Sequence, residues 1–124
     1  MSAYQKALMD FLAQLGLPVH LAGLTPDASH FPYLTANVSS AAFSGQTLMT
    51  ATAWFLGPDA NQGRSALCDQ LQQLVPECGV QLRYKGGMAI LHRASGDFIT
   101  LLTDGADPRA LAARFRLMIR HYDL

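Results

Sequence analysis

Apolar side chains recur at helical spacing near the start of the chain. Tyr4, Leu8, Phe11, Leu12 and Leu15 form one stripe, and Gln5, Lys6, Asp10 and Gln14 lie mostly off it. Ser2 supplies a cap and Gly16 a stop, so a helix is expected between them. Leu17-Pro18-Val19-His20-Leu21 reads as a short extended piece, because Pro18 blocks continuation of the helix. Gly23 to His30 reads as a loop, with Pro26 and Asp27 as turn formers. From Phe31 the period changes to two. Leu34, Ala36 and Val38 alternate with Tyr33, Thr35, Asn37 and Ser39, the pattern of a strand reaching Ser40. Ala41 to Gly45 reads as a connecting turn. Thr47 to Leu56, rich in Thr and aromatic residues, is expected to form a second strand and close an antiparallel hairpin.

Gly57-Pro58-Asp59 breaks that strand, and helical spacing returns from Asn61 to Leu74. Leu67, Leu71, Leu74 and Val75 fall on one side, Asp59 or Asn61 can cap the helix, and Pro76 stops it. Val80–Tyr84, Met88–His92 and Asp97–Leu102 read as short strands, divided by Gly86-Gly87 and Ser95-Gly96. The glycine pair marks a tight turn or a close backbone approach. The last segment satisfies two patterns. Asp107-Pro108 followed by Arg109-Ala110-Leu111-Ala112-Ala113 is a good helix start, and Leu111, Phe115, Met118, Ile119 and Tyr122 fit a helix. Arg114 to Arg120, however, alternates with period two. The expectation is a short helical turn and then a final strand, with Arg114, Arg116 and Arg120 on one face and Phe115, Leu117 and Ile119 on the other. The whole is read as one α+β domain over residues 1–124, two helices packed on a mostly antiparallel mixed sheet.

Composition changes this picture in one respect. Half the residues are hydrophobic and only 15% are charged, against about 25% in ordinary soluble domains. Apolar and small polar groups must therefore fill much of the surface. Either the chain is a low-charge monomer or its surface is covered by other subunits. Net charge is zero, so global electrostatics gives no case for nucleic-acid binding. No apolar run approaches the roughly 18 residues of a membrane helix. The opening Met-Ser-Ala-Tyr-Gln-Lys lacks the order of a signal peptide, so residence in a cytoplasm is expected. Cys68 and Cys78, ten positions apart, match no zinc or redox spacing and are read as reduced thiols.

Candidate chemistry is sparse. His20, His30, His92 and His121 fall in no metal-ligand spacing. There is no Gly-x-Ser-x-Gly elbow, and Phe43-Ser44-Gly45 is merely turn-like. Gly57 to Gly63 precedes a helix but lacks the Lys-Ser/Thr ending of a nucleotide loop. Asp27, Asp59, Asp97, Asp104 and Asp107 sit where turns are expected. No catalytic residue, metal ligand or cofactor is expected, and the chain is read as not an enzyme.

The order of elements carries a resemblance. Phe11-Leu12-Ala13-Gln14-Leu15-Gly16-Leu17-Pro18-Val19, then Phe31-Pro32-Tyr33-Leu34-Thr35, then Gly86-Gly87-Met88-Ala89-Ile90-Leu91-His92-Arg93, and finally Arg114-Phe115-Arg116-Leu117-Met118-Ile119 follow one another along nearly the whole chain. This order resembles the tail terminators, or tail-completion proteins, of siphophages and related prophages. The resemblance implies an α+β subunit of a ring, a hexamer in the virion. Such a ring caps the tail tube and docks to the head-completion proteins. It also implies synthesis in a host bacterial cytoplasm and residence in the virion tail, with no membrane, cofactor or catalytic residue. A head–tail connector or neck component is the neighbouring alternative. A small cytoplasmic enzyme or ligand-binding module is the alternative of another class.

A ring needs two different patches on each subunit, and three groups of residues are candidates for them. Trp54 and Phe55 are adjacent on a strand, so one of them points away from a singly covered core and can anchor a contact. Arg83, Tyr84 and Lys85 precede the glycine pair and Arg93 follows the next strand; on a hairpin facing the channel they would meet passing DNA. Arg114, Arg116 and Arg120 form a polar sheet face, wet or set against an acidic neighbour.

Overall fold

The computed structural model describes residues 3–21, 31–40 and 46–123. The chain folds as α1 (Ala3–Ala13), β1 (Val19–Leu21), β2 (Tyr33–Ser40), β3 (Gln46–Leu56), α2 (Ala60–Leu74), β4 (Val80–Tyr84), β5 (Gly87–Arg93), β6 (Ile99–Thr103) and β7 (Ala110–Asp123). These elements make an α+β architecture, two helices on a mostly antiparallel mixed sheet. The strands run in the order β1-β2-β3-β7-β5-β4, with β6 also paired to β7. The β1–β2 pair is parallel, and the other described pairs are antiparallel.

β7 organises the sheet. One of its edges pairs with β3 from Ala110 to Arg120. Its other edge is shared, by β6 along Leu111–Phe115 and by β5 along Leu117–Asp123. Helix α1 packs against both β1 and β4, which lie at opposite ends of the strand order. The sheet must therefore curl around α1, and α2 packs inside the same curl against β3 and β7. The concave face holds the core: Met49, Ala51, Ala53 and Phe55 of β3 and Phe115, Leu117 and Ile119 of β7 are buried there. Leu8, Phe11, Leu12 and Leu15 meet them from the first helical stripe, and Leu67, Leu71 and Val75 from the second. Each fully buried Leu, Ile or Phe contributes about 1.5–3 kcal/mol of transfer free energy.

Most of the expected elements are present at the expected places. Gly16 has φ +82°, in keeping with its place just beyond the first helix. Asp59 occupies the N-cap position of α2, but its side chain makes no capping hydrogen bond. The glycine pair does both things foreseen for it. Gly86, at φ +91°, makes the turn, and a Cβ on Gly87 would stand 2.9 Å from the Tyr122 carbonyl oxygen.

One expectation fails. The helical turn foreseen at 109–113 is not formed, and those residues begin β7 at Ala110. Asp107 instead closes a turn: its carbonyl accepts from Ala110 N–H at 3.0 Å and its carboxylate from Arg109 N–H at 3.0 Å. Strand partners on both edges of Leu111–Ala113 outweigh the weak helical preference of those residues. The Ser2 cap, the Gly23–His30 loop and the Ala41–Gly45 turn lie outside the described residues.

Candidate interaction face

Both helices lie on the concave side, so the convex side of the sheet carries no described layer. Antiparallel register decides which side chains share it, because directly opposed residues project from the same face. Arg114 stands between Thr52 and Thr100, Met118 between Leu48 and His92, and Arg120 between Gln46 and Ile90. Arg116 is opposed by Thr50, and Trp54 by Ala112 on one side and Tyr33 on the other. Among the described residues no outward strand position holds an Asp or Glu.

This face is neither a plain polar surface nor a core. Leu48, Trp54, Ile90 and Met118 are half-buried, and Leu56 and Tyr122 are exposed at 39% and 38%. Arg114 and Arg116 are half-buried, and the Nε of each is buried with no hydrogen-bond partner. A buried donor left without an acceptor costs about 1–3 kcal/mol. These two donors stand two residues apart on the outward side of β7.

The candidate residues separate clearly. Trp54, Arg114, Arg116, Arg120 and Arg83 all belong to the convex face; strand alternation foresaw this for the three β7 arginines, and for one of Trp54 and Phe55 without saying which. Phe55 is a correction: it is 7% exposed, with its ring under α2, where a Cβ on Gly63 would stand 2.8 Å from Phe55 Cδ1. Tyr84 turns to the concave side, its ring 5.6 Å from that of Tyr4. Lys85 lies exposed in the turn. Arg93 does not join Arg83 and Lys85 in a basic patch. Its Nε donates to the Val75 carbonyl at 2.8 Å, its second nitrogen to that of Gln72 at 3.1 Å, and its guanidinium lies 4.8 Å from the Phe98 ring centroid. Sequence reasoning gave Leu48, Ile90 and Met118 no part in this face. The period-two placement of Ile90 between Met88 and His92 was the available signal.

Elsewhere the geometry offers little chemistry. Among the described residues no three His, Cys, Asp or Glu side chains cluster as a metal site. Burial pushes the Cys68 thiol up, Arg64 pulls it down and Asp69 raises it, so less of it is thiolate than in a free cysteine. Cys78 is exposed. A depression of about 240 Å³ beside Phe31, Phe55, Leu56 and Gly63 is almost wholly apolar, with Asp59 at its rim. A second, of about 280 Å³, is a groove between the helices lined by Gln14, Leu15, Gln70, Gln73 and Leu74. No described helix is long and apolar enough to cross a membrane.

No family model matches the chain, and no curated protein does. Solved structures do match. One, whose description states no activity, superposes with a TM-score of 0.64 at 17% identity, covering 98% of this chain and 92% of its own. At that identity the likeness establishes the fold alone.

Proposed function

We propose that this chain is a structural subunit of a phage or prophage tail, a tail terminator that works in a ring. The ring caps the tail tube and presents its opposite side to the head-completion protein. The observation that carries this reading is the convex face, where half-buried Leu48, Trp54 and Met118 share the outward side of the sheet with Arg114, Arg116 and Arg120 and no described layer covers them. Such a face suits a subunit whose exterior is completed by neighbours. The low charge content points the same way, because a small domain with few ions has large areas available for contact. The order of sequence elements along the chain supplies the tail setting.

The test is an assembly experiment. Purified protein is added to tails assembled without it. Electron microscopy should show tubes of uniform length with the protein bound at one end. Continued overgrowth of the tubes, with no protein at their ends, rejects the proposal.

A further inference from the structure

The neutrality of the whole chain conceals an uneven distribution of charge. On the helices cations and carboxylates are mixed, Lys6 with Asp10 on α1 and Arg64 with Asp69 on α2. On the outward strand positions they are not: these hold Arg83, Arg114, Arg116 and Arg120, and among the described residues no Asp or Glu. None of the four arginines forms an ion pair there; the ion pair among the described residues joins Asp107 to Arg109. Asp97 lies close to the row, because the next residue, Phe98, accepts from Arg116 N–H at 3.0 Å. It is exposed, however, and pairs with neither Arg114 nor Arg116.

What surrounds the arginines decides the ligand. Arg114 stands between Thr52 and Thr100, and Arg116 beside Thr50, with Asn37 beyond it on β2. The arginines and threonines of this band are half-buried, and Asn37 is exposed. Outward residues two apart on a strand stand about 7 Å from one another, and neighbouring strands about 4.8 Å. The two guanidinium groups are therefore spaced to meet successive anionic groups, each with hydroxyl donors at its side. A phosphate presents several acceptor oxygens at one point and can take a guanidinium and a flanking hydroxyl together, whereas one guanidinium fork already satisfies both oxygens of a carboxylate. Arg, Thr and Asn are among the side chains that contact nucleic-acid backbones. Arg120 lies further along β7 and Arg83 two strands away on β4, so a polymer of phosphates engages more of the row than one anion can. A stiff duplex touches a convex surface over a short length only, and a flexible strand can follow it. We infer that Arg114 and Arg116, with their threonine flanks, bind the sugar-phosphate backbone of a single-stranded nucleic acid without reading its bases. The polar band leaves Trp54 on one side and Leu48 and Met118 on the other for protein neighbours. The inference goes beyond the tail reading and does not depend on it.

Fluorescence anisotropy of the full chain with a labelled oligothymidine of about 20 nucleotides tests it. Wild type should bind with a dissociation constant of about 10–100 μM in about 0.05 M salt, and log K should fall against log salt with a slope of about −3 as the four arginines each neutralise one phosphate. R114Q/R116Q should weaken binding roughly tenfold or more and make that slope shallower by about 1.4. R83Q/R120Q, at exposed positions, should weaken it roughly threefold, and K6Q on α1 should leave it unchanged. Circular dichroism checks that each variant is folded. Amide NMR of the wild-type chain gives a reading that needs no variant: the oligonucleotide should shift Arg114, Arg116, Thr52 and Thr100 and leave Asp10 and Asp69 in place. The inference is overturned by an absence of binding at about 0.1 mM protein in that salt, by shifts confined to other residues, or by a folded R114Q/R116Q that binds as wild type does. It is equally overturned if a duplex of the same length binds more tightly, or if an oligoglutamate of equal charge displaces the strand at equal concentration, which would make the partner an acidic protein. Capping of tails by a chain that binds no strand rejects this inference and leaves the terminator reading standing. Strand binding without capping does the reverse.

Discussion

Tyr4 shows how one residue can hold a fold to a limited pH range. It belongs to the first helical stripe, and its ring meets His121 edge-on at 4.4 Å and Tyr84 at 5.6 Å. Its hydroxyl is buried without a hydrogen-bond partner, while His121 instead shares a 3.1 Å contact with the Thr47 hydroxyl. Burial first, and then the neighbouring Tyr84, push its pKa up from 10.0 to about 12. A raised folded-state value means that the unfolded chain releases this proton first. Stability from Tyr4 is therefore complete below pH 10.0 and is lost as pH climbs toward about 12. Tyr4→Phe removes both the unpartnered hydroxyl and this alkaline slope. Urea unfolding should show the variant within about 1 kcal/mol of wild type at pH 7, on either side of it. Between pH 10 and 11 it should lose stability less steeply than wild type. An unchanged alkaline slope would remove Tyr4 from this role.

At the scale of elements, the end of α2 depends on a residue from another part of the chain. The last carbonyls of a helix have no partner within it. Here Arg93, at the end of β5, donates to two of them and lies over Phe98. Arg93→Ala should destabilise the fold by about 1–3 kcal/mol through lost charged hydrogen bonds and ring contact. Thermal or denaturant unfolding measures this, with Arg83→Ala, an exposed position on the convex face, as the neutral comparison. β7 shows a similar dependence. Its period-two stretch from Arg114 to Arg120 was readable along the chain, and it correctly divided arginines from core residues. The fate of Leu111–Ala113 was not readable there, because the helix preference of those residues is a fraction of a kcal/mol each. β3 and β6, far apart in sequence, supply partners on both edges.

At the scale of the molecule, one face of the sheet is spent on the core and the other carries no described layer. Trp54 marks the difference, because its neighbour Phe55 lies under α2 while Trp54 stands half-buried on the convex side. Trp54→Ala should therefore reduce tail capping, and the self-association behind it, more than it reduces stability. Loss of a central aromatic anchor typically costs about 2 kcal/mol or more in binding. Capping assays run beside unfolding curves would check this. A folded variant that caps as well as wild type would discard Trp54 as an anchor.

Alternation along the chain was enough to determine both helices, most of the strand positions and the division of Arg114, Arg116 and Arg120 from Phe115, Leu117 and Ile119, because side-chain direction follows from local backbone period. It was likewise enough to place one of Trp54 and Phe55 outside the core, since neighbours on a strand cannot both face inward. Which of them stayed outside, the removal of Arg93 from the basic hairpin and the conversion of 110–113 to strand were settled by the tertiary structure. Each depends on what lies across the sheet or over it. Those partners are brought together by the curl of the sheet around α1 and are not adjacent in sequence.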